Sequence, residues 1–153
     1  MESGFEVSEL QHATTAEIRS LRELMSELSA RPLHLDEAIV GRVLGHPGNT
    51  VFVVRDRMGD LVGMLTLQVL PTLSGEHARI EDVVVLERAR GHGLGRRLLQ
   101  AALKSARQRG VIQIDLTSRP ERREANGLYL RMGFERRETN VYRYRVDDVH
   151  RGG

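Results

Sequence analysis

The sequence contains no cysteine and no tryptophan, and aromatic residues make up only 4% of its 153 positions. The missing cysteines exclude disulfides, thiolate metal sites and a cysteine nucleophile together, and they leave the redox compartment undetermined. Scarce rings, with no basic run interleaved among them, argue against a surface that stacks exposed bases. An excess of one charge is missing too. The 23 basic and 21 acidic side chains nearly cancel to a formal +2, a weak basis for binding nucleic acid. No run of about 18 apolar residues occurs, and Met1 to Phe5 lack a basic region leading into an apolar one. The six histidines, at 12, 34, 46, 77, 92 and 150, share no metal-ligand spacing. These absences predict a cytoplasmic protein with no nucleic-acid partner, no membrane partner and no metal.

What is present is ordinary globular usage, 40% hydrophobic and 29% charged, in a length that suits one core. The expectation is a single domain over residues 1–153, with a tail that frays from about residue 147. Residues 6–11 read as a short strand. Thr14 and Glu17 then stand at capping-box spacing, with Ile18, Leu21, Met25 and Leu28 recurring at helical period before Pro32. A second helix starts near Asp36, turns Ile39, Val43 and Leu44 inward, and stops at His46-Pro47-Gly48. Residues 50–55 and 61–70 form a hairpin around a turn at 56–60. Residues 80–86, centred on Val83-Val84-Val85, read as a buried central strand. Residues 94–109 suit a helix with Leu98, Leu99, Ala102, Leu103 and Ala106 inward and Gly110 as its cap. A strand at 111–117, a short helix at 124–132 with Leu128 inward, and two last strands at 134–138 and 141–146 complete the order β-α-α-β-β-β-α-β-α-β-β. The fold class is mixed α/β, with six or seven strands and four helices.

Chemistry concentrates in Arg90-Gly91-His92-Gly93-Leu94-Gly95, which leads from the central strand into a helix. Amides at a helix start have no internal partner and lie at the positive end of the helix dipole, so an anion fits there. Glycines let a bulky pyrophosphate approach where a Cβ would clash, and Arg90, Arg96 and Arg97 add positive charge. The segment is not a P-loop, because Arg96 follows Gly95 where a Lys and then a Ser or Thr are required. Nor is it the dinucleotide fingerprint, whose glycines are spaced G-x-G-x-x-G rather than G-x-G-x-G.

Arg90, Gly93 and Gly95 match the pyrophosphate loop of the GCN5-related N-acetyltransferases: Arg or Gln, two residues, Gly, one residue, Gly or Ala. The strand Ile80-Glu81-Asp82-Val83-Val84-Val85 and the downstream Asn126-Gly127-Leu128-Tyr129-Leu130-Arg131-Met132-Gly133-Phe134 extend the resemblance over roughly the second half of the chain. It implies the acyl-CoA N-acyltransferase fold and acetyl-CoA as co-substrate. It also implies that the backbone of Val83, Val84 and Val85 holds the pantetheine arm beside a splayed neighbouring strand. Arg90, Gly91, His92, Gly93, Leu94, Gly95 and Arg96 would hold the pyrophosphate, and Asn126 would contact the cofactor arm. Tyr129 would act as general acid near the thioester sulfur.

The implied reaction is direct attack by a neutral primary amine in a ternary complex, with the oxyanion held by a backbone N–H. Holding two reactants side by side can itself supply roughly 7 to 11 kcal/mol in the most favourable cases. Glu81 is the candidate base, with Asp82 or a water as alternatives; alternation lets only one of the two acids face the substrate. The plainer readings stand beside these: Tyr129 as a packed core residue, Glu81 and Asp82 as partners of Arg79, and the arginines at 119, 122 and 123 as a solvated loop rather than a phosphate site. The acceptor region is expected around Met25, Leu28, Leu33 and the loop 72–77, and a small-molecule amine is favoured over a protein or peptide amine. A non-catalytic acetyl-CoA sensor is the alternative from another class. The final strands of the family often pair or swap between subunits, so the resemblance allows a homodimer.

Overall fold

The computed structural model describes residues 4–29 and 34–146. The element order is β1 (Glu6–Glu9), α1 (Thr15–Leu28), α2 (Glu37–Gly45), β2 (Asn49–Arg55), β3 (Leu61–Thr72), β4 (Gly75–Val85), a 3-10 turn (Glu87–Ala89), α3 (Leu94–Gln108), β5 (Gln113–Asp115) and α4 (Arg123–Arg131). The chain divides into two compact units at Arg119/Pro120. Pro32, Leu33 and the tail from Asp147 lie outside the described residues.

The first unit is a mixed sheet in the order β1-β2-β3-β4-β5. Its first four strands pair antiparallel, and β5 joins β4 in parallel. Local signals place the helices. The Glu17 N–H donates to the Thr14 hydroxyl at 3.1 Å and the Thr14 N–H to the Glu17 carboxylate at 3.0 Å, so two otherwise orphaned amides of α1 are satisfied reciprocally. Burial alone would raise the Glu17 carboxyl. The Thr14 hydrogen bonds and the Arg55 guanidinium outweigh it and hold the group below its ordinary value. Asp36 caps α2 by accepting from the Ile39 N–H at 2.8 Å.

Helices cover both faces of the sheet, which explains why β3 is buried along most of its length rather than in alternation. Leu98 of α3 packs over Gly63 of β3, where an added Cβ would stand 3.5 Å from the leucine methyl. α1 packs on β3 and β4 and is tied by Glu17 to Arg55 of β2. Leu24, Leu65, Leu67, Leu98 and Leu99 are fully buried, each worth about 1.5–3 kcal/mol of transfer free energy.

Several elements differ from the sequence reading. The inner residues of α1 are Ile18, Leu21 and Leu24; Met25 stands one position off, within the error of a 3.6-residue period read by eye. β4 begins at Gly75 rather than near residue 80, because the loop expected there is a tight turn closing a long hairpin with β3. β5 is shorter than 111–117. Segments 134–138 and 141–146 are not in strand conformation, although Tyr142 to Val146 alternate as a strand would. Propensity alone does not make a strand; a partner edge is needed to satisfy its backbone.

Candidate active site

The glycine segment follows β4 after the 3-10 turn Glu87–Ala89, not directly as the sequence suggested. Gly91 and Gly93 have φ of +83° and +70°. Gly93 occupies the N-cap of α3, and no side chain caps that helix, so its first-turn amides point outward without a side-chain acceptor. A Cβ built on Gly91 or Gly93 would meet no atom within 4 Å among the described residues. The positive φ needs glycine, and open space lies where a bulky anion would approach. These features fit a pyrophosphate.

The arginines around this loop divide by role. Arg96 is exposed. Arg97 turns away to donate to the Phe5 carbonyl at 3.1 Å, and the Phe5 ring lies 5.0 Å from that of His92, so the start of β1 braces the loop. Arg90 folds back over the end of β4, donating from Nε to the Val85 carbonyl at 3.2 Å, and stands 3.5 Å from Glu27 of α1. The sequence reading missed Glu27. Its partner is 63 positions away, and no local pattern announces such a pair.

β4 carries the second part of the site. Thr66 pairs with Glu81 and Met64 with Val84, so Asp82 and Val83 together oppose Leu65, a β-bulge. Asp82 takes φ +54°, the single non-glycine residue with positive φ among those described; aspartate is among the few residues that tolerate it. The residue keeps solvent exposure, yet the surrounding protein crowds its carboxyl. Burial first, and the Glu81 charge second, push its pKa above the ordinary 3.8. Glu81 accepts from Arg79 Nε at 3.0 Å, which is the pairing weighed above as the plainer reading. An aspartate at the head of three valines was the available signal for a bulge, because aspartate is disfavoured in regular strands.

The parallel ladder between β4 and β5 spans His77↔Gln113 to Arg79↔Asp115 and ends there, while β4 runs on to Val85. The two strands therefore part just before Glu81.

In the second unit, Tyr129 is buried on α4, with its ring edge-on to Phe134 at 5.9 Å. Leu128, expected inward, is half-buried. Burial raises the Tyr129 phenol above its ordinary 10.0, and Arg122 counters only in part, so the hydroxyl keeps its proton throughout the neutral range. Asn126 lies three residues earlier on the same helix, its N–H donating to the Arg122 carbonyl at 3.0 Å. Gly133, with φ +98°, ends the helix as the sequence indicated. Among the described residues no group of three or more His, Cys, Asp or Glu side chains is placed to hold a metal, and no helix is long and apolar enough to cross a membrane.

The pattern of the acetyltransferase (GNAT) family matches residues 14–134, and the chain belongs to that family. It is an N-acetyltransferase by class, and the family uses acetyl-CoA as donor. An aminoalkylphosphonate N-acetyltransferase of Salmonella typhimurium is 33% identical over 136 residues, covering 84% of this chain and 86% of that protein. Glucosamine 6-phosphate N-acetyltransferase 1 of Oryza sativa subsp. japonica is 29% identical over 135 residues, covering 82% and 79%. Among solved structures, an acetyltransferase of Trypanosoma brucei superposes with a TM-score of 0.76 at 27% identity, over 92% of this chain and 99% of that one.

Proposed function

We propose that the chain moves an acetyl group from acetyl-CoA to the primary amine of a small molecule that also carries a phosphoryl group, by direct attack in a ternary complex. The observation that carries the donor half is the uncapped start of α3 behind two positive-φ glycines with open space around them. The acceptor half is supported by two relatives whose names specify amines bearing a phosphonate or a phosphate. The family pattern runs across the boundary between the two units, which supports reading residues 1–153 as one catalytic domain.

In this reading acetyl-CoA supplies the activated thioester, and the chain binds and orients. Arg90, Gly91, His92, Gly93, Leu94, Gly95 and Arg96 hold the pyrophosphate, and the backbone of Val83, Val84 and Val85 holds the pantetheine arm. The ending of the β4–β5 ladder at Arg79 and Asp115 supports an arm lying alongside that stretch of β4. Asn126 contacts the arm. An amine arrives as an ammonium and must lose a proton before attack. Glu81 takes that proton, directly or through water, with Asp82 as the competing base. Glu81 stands paired with Arg79 at 3.0 Å, whereas Asp82 has the raised pKa that suits a base. Tyr129 stays protonated and donates to the leaving thiolate. Its raised pKa makes it a weak acid, so the hydrogen bond matters more than complete proton transfer.

The same reading takes the enzyme as cytoplasmic and as a homodimer. Val141, Tyr142, Tyr144 and Val146 are 73–90% exposed, an apolar alternation that a second copy would cover. Sedimentation at micromolar concentration tests the dimer; a monomer there removes it.

The test of function is a thiol-release assay with acetyl-CoA over 2-aminoethylphosphonate, glucosamine 6-phosphate, neutral amines and a basic peptide, with Tyr129→Phe alongside. Turnover is expected on a phosphoryl-bearing amine, reduced by about 100-fold or more in the variant, the lower end of what one positioned proton donor contributes. If acetyl-CoA binds yet no amine tested releases thiol, the sensor reading gains. If acetyl-CoA does not bind in calorimetry, the donor site is refuted as well.

A further inference from the structure

The strand β4 sorts its side chains strictly before the bulge. Ala78 and Ile80 are 1% and 2% exposed, while His77, Arg79 and Glu81 alternate with them on the other face, half-buried. Register carries that second face across the sheet. Arg79 pairs with Gln68 and Glu81 with Thr66 on β3, and His77 and Arg79 pair with Gln113 and Asp115 on β5. The result is one polar row that ends where the two strands part.

Within the row Arg79 is held in a particular pose. Its Nε donates to Glu81 Oε1 at 3.0 Å, and the side chain keeps 39% of its exposure. Asp115, in register beside it, takes the Gln113 amide at 3.1 Å instead of the guanidinium. Both Nη nitrogens of Arg79 are left without a hydrogen bond among the described residues. A guanidinium fixed at Nε, with its terminal fork outward and partly desolvated, is the geometry that receives two oxygens of a phosphoryl group.

We propose that Arg79 binds the anionic group of the acceptor and so selects amines that carry a phosphonate or phosphate. This rests on the proposed function and names the residue that sets its substrate class. Residues two apart on a strand are about 7 Å apart. An ammonium held at Glu81 therefore has its phosphoryl group within reach of the Arg79 fork when a short carbon chain joins the two. Carboxylate and guanidinium side by side present a dipole that matches a zwitterion and gives a plain amine no anion contact.

The experiment compares wild type, Arg79→Gln and Arg79→Lys on 2-aminoethylphosphonate and on propylamine, an acceptor of similar length without the anion. Loss of two charge-assisted hydrogen bonds should raise KM for the phosphonate about 10- to 100-fold in Arg79→Gln. Any effect passed through Glu81 is shared by the two acceptors, so the ratio of kcat/KM for the phosphonate to kcat/KM for propylamine should fall at least about tenfold. Arg79→Lys, which keeps the charge without the fork, should recover part of the loss. Equal losses on both acceptors would mean that Arg79 serves only Glu81, and no change on either would overturn the assignment while leaving acetyl transfer intact. Calorimetric titration of 2-aminoethylphosphonate into each protein with coenzyme A present reads the contact even without turnover. Equal affinity for wild type and Arg79→Gln refutes it.

Discussion

Gly93 and Gly110 form a matched pair of positions. Gly93 opens α3 at φ +70° and Gly110 follows its end at φ +72°, and an added Cβ at either meets nothing within 4 Å among the described residues. Replacing either by Ala costs the left-handed strain of about 1–2 kcal/mol, partly offset by the smaller entropy of the unfolded alanine chain. The expected net loss is about 1 kcal/mol for each variant, or about 2–4 °C in Tm for a chain of this size. The two should differ sharply in donor binding. At Gly93 the new methyl enters the space assigned to the pyrophosphate and holds it off the first-turn amides, each worth about 1.5–3 kcal/mol to a charged acceptor. Calorimetry should find acetyl-CoA bound at least about tenfold more weakly by Gly93→Ala and with wild-type affinity by Gly110→Ala. Equal affinities in the two variants would refute the loop as the pyrophosphate seat. Weakening in both would show that helix stability, not the cradle, controls binding.

Asp82→Asn should shift stability in favour of higher pH. Because the folded carboxyl titrates above 3.8, Asp82 favours folding most below that value, and its contribution falls as pH rises through the raised pKa. Asn tolerates φ +54° and carries no charge, so Tm at pH 7 minus Tm at pH 4 should be more positive in the variant than in wild type; an unchanged difference contradicts the burial argument. Glu17 has the opposite sign. Its lowered carboxyl stabilises the fold above its ordinary 4.5 and ceases to do so as pH falls through the folded value, so Glu17→Gln should lose stability at pH 7 and progressively less as pH falls below 4.5. Leu98→Ala removes a fully buried side chain packed over Gly63 and should cost about 2–5 kcal/mol by urea denaturation; under 1 kcal/mol would mean that α3 settles onto the sheet.

Features encoded within a few residues were legible in the sequence. The Thr14 and Glu17 capping box, the helix start at Asp36 and the glycine turn that leads into α3 each depend on neighbours inside one turn, and all three hold in the structure. Features that depend on distant partners were not. Whether β4 begins at Gly75 depends on β3 folding back onto it, and the Arg90 and Glu27 contact joins two elements far apart in sequence. Residues 141–146 show the limit from the other side. Their alternation reads as a strand, but alternation says which face would be buried and not what would bury it. The acid pair lay between these cases. Residue type drew attention to Glu81 and Asp82, while their difference came from the bulge, which turns neighbours in sequence into a paired glutamate and a strained, crowded aspartate.

That bulge also sets a reading frame. Thr66 faces Glu81 and Met64 faces Val84 because one extra residue is inserted between them. Deleting a residue between Ala78 and Glu81 would shift everything before it by one place, turning Arg79 toward the core and Ala78 toward solvent, whereas deleting Asp82 would remove the bulge and leave the flanking pairs in register. Substitution carries no such penalty at 77, 79 and 81, where side chains can be exchanged without disturbing the buried set. Acceptor preference should therefore diverge by replacements at 77 and 79, beside the proposed base at 81, under a fixed strand length, which makes β4 a compact target for redesign.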